Sequence, residues 1–213
     1  MTDQTLTHLY FLLDRSGSMQ SIKGDIEGGF AAFVDEQRTA PGSCRVTLAQ
    51  FDDRYEVVYA DRDVADVPAL DLQPRSRTAL HDAMGRLITD AGASLAALPE
   101  DQRPGTVIVA VMTDGLENAS QEWNGTSIKA LVEQQTQQWG WTFMYLGADQ
   151  DAVEVGTSLG VPAAQSMTYS RGKGREAMGK NSEKIRQLRT ARMTDAAAPM
   201  PAYTAQERAD LAD

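Results

Sequence analysis

The sequence predicts an α/β fold: a doubly wound, Rossmann-like domain whose central sheet is mostly parallel, with one antiparallel edge strand and helices on both faces. Nearly unbroken apolar runs at residues 8–14, 106–112 and 141–146 are typical of strands buried on both faces. Between them, apolar residues recur at helical spacing, and this alternation predicts a parallel sheet. The turn residues Asp52-Asp53 separate two further β-rich runs, which predicts a hairpin and so the antiparallel edge strand.

In the first half of the chain, two helices flank this hairpin. The first ends before Pro41-Gly42, and the hairpin strands run over residues 44–51 and 54–60. The second helix follows a Pro-containing loop, and the pair Pro99 and Pro104 ends its pattern. The apolar faces of the two helices are formed by Ile22, Ile26, Phe30, Phe33 and Val34, and by Leu80, Ala83, Met84, Leu87, Ile88, Ala91 and Leu95.

The second half continues the alternation after the strand at 106–112. Thr126 is the predicted cap of a helix that Gly140 ends, and Asp149 is the predicted cap of a short helix that follows the strand at 141–146. A short strand at 165–169 and a basic helix at 174–194 complete the prediction. The apolar face of the Thr126 helix is assigned to Ile128, Leu131, Val132 and Trp139.

Three segments follow from this pattern. Residues 1–170 form the predicted α/β domain. Residues 171–195 form a basic C-terminal helix that packs on the domain or extends it, and residues 196–213 form an Ala/Pro-containing tail that could be flexible. Within the tail, Thr204 and Glu207 have capping-box spacing, so a short helix could form there, against a partner if not alone.

Composition limits the functional classes. The single cysteine, Cys44, excludes an intramolecular disulfide and suits a reducing compartment, and no apolar run is long enough for a membrane span, so we expect a cytoplasmic protein without a membrane partner. Residues 1–170 contain 11 Lys/Arg and 24 Asp/Glu, which disfavours nucleic-acid binding. The only candidate surface for nucleic acid is the basic segment 171–192, with 8 Lys/Arg and 2 Asp/Glu. Such short charge runs are usually solvated helix faces.

A candidate cation site follows the first strand. Asp14, Ser16 and Ser18 alternate in sequence, so an extended turn can direct all three side chains the same way, and Gly17 allows the backbone to fold tightly between them. One carboxylate and two hydroxyls form an all-oxygen set. Such a set suits Mg²⁺ or Mn²⁺, and Ca²⁺ is also compatible.

Two later loops can contribute to the same place. Asp114 ends another predicted strand, and in a doubly wound sheet the carboxyl ends of the strands share one edge, so Asp14 and Asp114 can converge there. Thr78 begins the second helix, where it could equally be an ordinary N-cap, and Asp114-Gly115 could equally be a common turn. Arg77 could attract a carboxylate or point into solvent. Glu117 and Asn118 could line the rim, hydrogen-bond water near the metal or belong to an exposed loop.

These motifs together resemble the metal-ion-dependent adhesion site of von Willebrand factor type A domains. The resemblance rests on D-R-S-G-S-M at 14–19, T-A-L-H-D-A at 78–83 and T-D-G at 113–115, and it covers about residues 6–170. It implies that Ser16, Ser18 and Thr78 bind the metal through hydroxyl oxygens, with Asp14 and Asp114 acting directly or through water. It also implies that an acidic side chain of a protein partner completes the coordination shell. Related bacterial sequences often have Gly-Gly before the threonine, where this chain has Ser76-Arg77.

The leading functional hypothesis is therefore a non-enzymatic, metal-dependent module that binds a partner's Asp or Glu. The alternative is a Mg²⁺-dependent phosphoryl-transfer enzyme with Asp14 as its nucleophile. That chemistry needs a second carboxylate two residues later and a phosphate-binding lysine, but Ser16 occupies that position, and the domain's only lysines are Lys23 and Lys129. A third hypothesis makes the basic segment 171–192 the functional surface. The sequence leaves the partner and the oligomeric state open.

Overall fold

A computed structural model describes residues 2–212, and its central element is a six-stranded sheet with the strand order β3-β2-β1-β4-β5-β6. The strands are β1 (Asp3–Asp14), β2 (Ser43–Phe51), β3 (Tyr55–Asp63), β4 (Pro104–Thr113), β5 (Thr142–Ala148) and β6 (Ser166–Tyr169). The helices are α1 (Lys23–Thr39), α2 (Leu80–Ala97), α3 (Gly125–Trp139), α4 (Ala152–Ser158), α5 (Gly174–Arg192) and α6 (Ala205–Ala212). Met1 and Asp213, the first residue of the predicted domain and the last of the predicted tail, lie outside the described residues.

The strand pairing confirms the predicted fold class. Strand β1 lies at the centre and pairs in parallel with β2 and β4, and the parallel pairs β4–β5 and β5–β6 extend the sheet. Strand β3 pairs antiparallel with β2 and forms the edge, as the hairpin prediction required. After β1, the chain adds β2 and β3 on one side of it and then β4, β5 and β6 on the other side, so the strand order reverses at β1. In such folds the ligand site lies beyond the carboxyl ends of the strands, next to this reversal.

Helices cover both faces of the sheet and bury two apolar cores. On one face, Phe11 of β1 packs edge-to-face against Phe30 and Phe33 of α1, with ring centroids 5.4 and 5.2 Å apart. On the other face, α2 and α3 cover Tyr10, Leu12 and the alternate residues of β4 and β5. Both faces of β1 are thus covered, which explains why its sequence is almost continuously apolar.

Two helix caps differ from the sequence predictions. Helix α2 begins at Leu80 with Ala79 as its N-cap residue, so Thr78 is not a helix cap and its hydroxyl is free for another role. Helix α3 is capped by Asn124, whose Oδ1 accepts a hydrogen bond from the Ser127 backbone N–H at 3.0 Å, rather than by Thr126. These caps differ because the chain enters each helix one or two residues away from the predicted point.

Two further predictions, both for the second half of the chain, are wrong. Asp151, not Asp149, caps α4, because Asp149 adopts a left-handed conformation (φ 48°) that ends β5. Trp139 was assigned to the buried face of α3, but its side chain is 64% exposed at the end of the helix. Cys44 is buried, in agreement with its interpretation as a small core residue.

The C-terminal segment packs on the domain. Helix α5 lies against α1, where the buried Gln37 donates to the Ser182 carbonyl and hydroxyl oxygens at 2.9 and 2.8 Å. The predicted capping box is formed: the Thr204 backbone N–H donates to Glu207 Oε2 at 2.7 Å, and the Glu207 N–H donates to Thr204 Oγ1 at 3.1 Å. Glu207 also pairs with Lys184 of α5 at 2.9 Å. These contacts join residues of the predicted Ala/Pro-containing tail to α5.

Candidate metal centre

The sheet topology brings Asp14 and Asp114 to the same edge. Asp14 is the last residue of β1, and Asp114 directly follows β4, the strand that pairs with β1 up to Leu13 and Met112. Thr113, the last residue of β4, donates a 2.5 Å hydrogen bond from Oγ1 to Asp14 Oδ2. This short bond ties the ends of the two central strands together. Residues 100 positions apart in sequence are therefore neighbours at the reversal of strand order.

The loop after β1 directs its oxygen atoms toward this edge. The Ser16 backbone N–H donates to Asp14 Oδ1 at 2.6 Å, so the loop turns back on its own carboxylate. Ser16 Oγ and Ser18 Oγ are 3.1 Å apart, and Ser18 Oγ donates to Asp114 Oδ1 at 2.6 Å. The alternation of Asp14, Ser16 and Ser18 thus places three oxygen-bearing side chains on one side of the turn, as the sequence predicted.

Thr78 and Gly115 complete the cluster. A Cβ atom added to Gly115 would lie 2.8 Å from Thr78 Oγ1 and 3.6 Å from both Asp14 Oδ2 and Ser16 Oγ. Gly115 therefore leaves a small space next to side-chain oxygens from two other loops. The absence of a side chain here is the feature that a bound cation would require, and the donors around the space suit a hard cation such as Mg²⁺. Coordination by these five residues remains a prediction.

The donor set is better suited to hard cations than to softer metals. Among residues 2–212, no three His, Cys, Asp or Glu side chains are grouped so that they could hold a metal ion. The cluster instead contains two carboxylates, from Asp14 and Asp114, and three hydroxyls. Such oxygen-only sets bind Mg²⁺, Mn²⁺ or Ca²⁺ rather than zinc, which prefers nitrogen and sulfur ligands.

Burial of the two carboxylates perturbs their ionisation. Burial raises the pKa of Asp14 to about 6, although hydrogen bonds from Thr113 and Ser16 oppose the shift and the charge of Asp114 adds to it. Burial likewise raises the pKa of Asp114, against the opposing effects of the Ser18 hydrogen bond and the Arg171 charge. Two buried, like-charged carboxylates at this edge of the sheet therefore lower the stability of the fold when both are ionised. A cation bound between them would offset that cost.

Glu117 and Asn118 position the Thr78 loop. Asn118 Oδ1 accepts from the Thr78 backbone N–H at 3.1 Å, and the Asn118 N–H donates to the Thr78 carbonyl at 3.0 Å. Glu117 accepts from the backbone N–H groups of His81, Ala119 and Ser120 at 2.7–2.9 Å, and these bonds hold the pKa of its carboxyl below the usual value despite burial. Both side chains therefore act on the loop backbone, and their oxygens are committed there.

Arg77 directly precedes Thr78 and is exposed. Together with Ala79, which follows Thr78, it lines a polar pocket of about 350 Å³. The hairpin residue Arg54 lines the same pocket. On the opposite loop, the side chain of Leu116 is 62% exposed, two residues after Asp114. Exposed charged and apolar side chains thus lie close in sequence to Thr78 and Asp114.

Asp52 connects the loops of the oxygen cluster, and the sequence did not identify this role. The buried Asp52 Oδ2 accepts from Arg15 Nε at 3.2 Å and from Arg75 Nε at 2.6 Å. Its carbonyl accepts from the Ala79 N–H at 2.8 Å. Asp52 therefore links the Ser16 loop to the Thr78 loop. The sequence pattern indicates only a turn at Asp52-Asp53, and no spacing in the sequence connects this turn to Asp14.

A second unanticipated contact is made by Arg171, whose Nη2 lies 3.2 Å from Asp114 Oδ2. In the sequence this residue was only the first of a basic run. That run is largely committed to internal contacts: Lys184 and Arg189 are buried, and Arg186 pairs with Glu36 at 2.9 Å. Segment 171–192 is therefore a poor candidate for a free basic surface.

Comparison with known proteins supports the fold. No family model and no curated protein matches the sequence. Among solved structures, the fold is similar to proximal thread matrix protein 1 from the mussel byssus (TM-score 0.57, 14% identity, 86% of this chain and 46% of that chain covered). It is also similar to a von Willebrand factor type A protein from Catenulispora acidiphila (TM-score 0.55, 15% identity, 84% and 42% covered).

A third similar structure is the von Willebrand factor domain of the type V pili tip protein Mfa5 from Porphyromonas gingivalis (TM-score 0.58, 10% identity, 85% and 95% covered). The chain thus spans nearly the whole of this domain but less than half of the two proteins above. At these identities the likeness establishes a shared fold. The predicted fold class, that of von Willebrand factor type A domains, is confirmed.

Proposed function

We propose that the protein is a divalent-metal-dependent protein-binding module that captures an acidic side chain of a partner. The observation that carries this proposal is a cluster of five oxygen-bearing side chains from three loops. Oxygens of Asp14, Ser16 and Thr78 lie around Gly115, and Ser18 contacts both Ser16 and Asp114. The residues that would hold the metal are Asp14, Ser16, Ser18, Thr78 and Asp114. Mg²⁺ is the best match, with Mn²⁺ and Ca²⁺ as alternatives.

The chemistry of the donors explains why a partner's carboxylate would bind. Three of the five side chains are neutral hydroxyls, which neutralise none of the charge of a divalent ion, and a carboxylate of Asp14 or Asp114 that acts through water would neutralise it only in part. When bound, the ion would remain a strong Lewis acid toward an additional oxygen ligand, and Asp or Glu supplies a charged one. The exposed Leu116 and the Arg77 pocket would then contact the surface around that acidic residue.

The structural neighbours support a binding role. Two of them are described as a pilus tip protein and a pilus adhesin, the latter being SpaC from Lactobacillus rhamnosus GG (TM-score 0.61, 12% identity, 85% of this chain and 30% of that chain covered). We extend only the general role of protein binding to this chain. Its setting in our proposal is cytoplasmic, because the buried Cys44 is a free thiol. Among residues 2–212, helices are either too short or too polar to cross a membrane.

Phosphoryl transfer is less well supported. Ser16 stands where a second carboxylate would be needed, and Lys23 and Lys129 pair with Glu27 and Glu133 on their own helices at 3.7 and 3.9 Å. An oxygen cluster without a phosphate-binding lysine suits ligand capture better than catalysis. We therefore propose a non-enzymatic module.

The test is metal binding followed by partner capture. We expect isothermal titration calorimetry to detect Mg²⁺ binding by the wild-type protein, and affinity purification to retain a partner with Mg²⁺ and lose it with EDTA. Ser16→Ala should remove both signals while circular dichroism stays unchanged. Metal-independent capture, or full Mg²⁺ affinity in the Ser16→Ala variant, would contradict the proposal.

A further inference from the structure

The side chain of Arg171 reaches the candidate metal centre from the loop after β6. Its Nη2 lies 3.2 Å from Asp114 Oδ2, and its Nε lies 3.1 Å from Asp149 Oδ2. The Asp114 side chain is fully buried, whereas that of Arg171 is 43% exposed. One guanidinium therefore bridges a buried carboxylate of the cluster and an acidic residue at the end of β5.

Contacts on both sides hold this loop in place. The Arg171 backbone N–H donates to Asp149 Oδ1 at 3.1 Å, and the Asp149 N–H donates to the Tyr169 carbonyl at 2.9 Å. Ser170 is bound to the end of α6 through its backbone N–H, which donates to the Leu211 carbonyl at 2.8 Å. Gly172 adopts φ 89°, a conformation that glycine adopts easily, so the chain can turn directly after Arg171. The position of Arg171 is thus fixed by β5, β6 and α6 together.

The guanidinium contacts a carboxylate that the metal would also need. Asp114 Oδ1 accepts from Ser18 and Oδ2 is paired with Arg171, so both oxygens are engaged in the structure. A divalent ion beside Asp114 would lie close to the positive charge of Arg171, and like charges at short range in a partly buried site repel strongly. The same contact compensates the buried charge of Asp114 whenever no metal is bound.

We propose that Arg171 is an internal counter-cation that competes with the divalent ion for Asp114 and thereby sets the metal affinity of the site. This inference rests on the proposed function, because it concerns the same metal. It assigns Arg171 two opposite effects. Arg171 stabilises the metal-free fold, and it weakens metal binding. A residue with a purely structural role would support both states.

The experiment compares Arg171→Gln with the wild-type protein. Glutamine removes the charge but keeps a polar side chain of moderate length. We expect calorimetric titration to show Mg²⁺ binding at least about fivefold tighter, because the competing charge is gone. In EDTA, the Tm should fall because Asp114 loses its counter-charge. Circular dichroism of the variant verifies that it is folded.

Lys173→Gln is the matched control. It removes one positive charge two residues away, and Lys173 Nζ contacts the Asp210 carbonyl at 3.3 Å rather than the metal centre. We expect its Mg²⁺ affinity to stay within about twofold of the wild-type value, because exposed charges are screened. Arg171→Lys, which keeps the charge, should lie closer to the wild type than to Arg171→Gln.

The outcomes separate this inference from the proposed function. Unchanged or weaker Mg²⁺ binding by Arg171→Gln, with normal binding by the wild type, would overturn the role of Arg171 and leave the proposed function intact. Tighter binding by Lys173→Gln of the same size would overturn it as well, because the effect would then be one of net charge. If neither the wild type nor Arg171→Gln binds Mg²⁺, both proposals fail.

Discussion

The two ends of the sheet differ in a way that separates chemistry from packing. At the amino end, a pocket of about 410 Å³ is lined by Leu95, Val107, Trp139 and Trp141 among others, and its walls are mainly apolar. At the carboxyl end, the space beside Gly115 is small, but it lies next to side-chain oxygens of Asp14, Ser16 and Thr78, from two other loops. The amino-end pocket therefore offers apolar contact area, whereas the space at the carboxyl end is lined by oxygen atoms that could bind a ligand. In doubly wound sheets, ligands bind beyond the carboxyl ends of the strands, so the space beside Gly115 is the better candidate for the functional site.

The largest expected effect that tests this contrast comes from Asp14→Asn. Asparagine keeps the shape of the side chain but removes its charge, so we expect Mg²⁺ affinity to fall by more than about 100-fold. Because burial raises the pKa of Asp14, the charged carboxylate destabilises the metal-free fold, and the Tm in EDTA should rise. Titration calorimetry and thermal unfolding measure the two effects.

Trp139→Ala is the control at the opposite end of the sheet. It changes the amino-end pocket and should leave Mg²⁺ affinity unaltered, because its side chain is exposed and far from the oxygen cluster in the fold. Equal losses in the two variants would mean that the two ends are not functionally distinct.

A smaller loss is expected from Gly115→Ala. The added methyl group would lie 2.8 Å from Thr78 Oγ1, so it would occupy the space that the metal needs and displace one ligand. We expect an affinity about tenfold lower, an effect of about 1.4 kcal/mol, with the fold unchanged. The matched variant is Gly92→Ala on α2, where an added Cβ meets no atom within 4 Å. That variant should keep its metal affinity and gain up to about 1 kcal/mol in stability.

Asp52→Asn tests whether the buried Asp52 carboxylate, which links two of the loops, is needed for metal binding at the carboxyl end of the sheet. The variant weakens the contacts to Arg15 and Arg75 that connect two of the three loops. Breaking a buried ion pair typically costs about 3–5 kcal/mol in the free energy of unfolding. We expect a smaller loss here, because Arg75 is half exposed and the buried Arg15 keeps its pair with Glu56 at 2.8 Å. Mg²⁺ affinity should fall by about fivefold, since a cluster of displaced ligands binds less well.

The control for this variant is Glu122→Gln, which breaks the exposed ion pair with Arg86 at 2.6 Å. Exposed ion pairs contribute little to stability, so the stability and metal affinity of Glu122→Gln should hardly change. Chemical denaturation and calorimetry on both variants provide the measurements. An Asp52→Asn protein with full metal affinity would show that the loops hold their geometry without this carboxylate.

The fold and the centre of the site were predictable because local rules determine them. Strands that are buried on both faces have continuous apolar runs, so the runs identify the strands. Because the carboxyl ends of parallel strands share one edge of the sheet, Asp14 and Asp114 could be placed near each other before any contact was known. The helix caps were harder, because Asn124, Thr126 and Ser127 are all suitable residues within one turn. Arg171 could not be found this way, because its contact depends on where a loop 57 residues beyond Asp114 comes to lie.

The smallest effect we expect is a pH dependence confined to the carboxyl end. The raised pKa of Asp14, about 6, means that the folded, metal-free protein takes up a proton there well above the ordinary value of 3.8. Metal must displace that proton, so Mg²⁺ affinity should fall by about fourfold between pH 7.5 and pH 5.5. Over the same range, the folded state binds more protons than the unfolded state, so the contribution of Asp14 to metal-free stability increases as the pH falls.

The two trends have opposite signs, which allows one series of thermal melts to separate them. As the pH is lowered from 7.5 to 5.5, the difference in Tm between samples with saturating Mg²⁺ and samples with EDTA should shrink. In the Asp14→Asn variant the Mg²⁺-dependent difference should be absent at both pH values. A Tm difference that stays constant across this range would mean that Asp14 is already ionised at pH 5.5, and that the desolvation of its carboxylate is relieved within the metal-free fold.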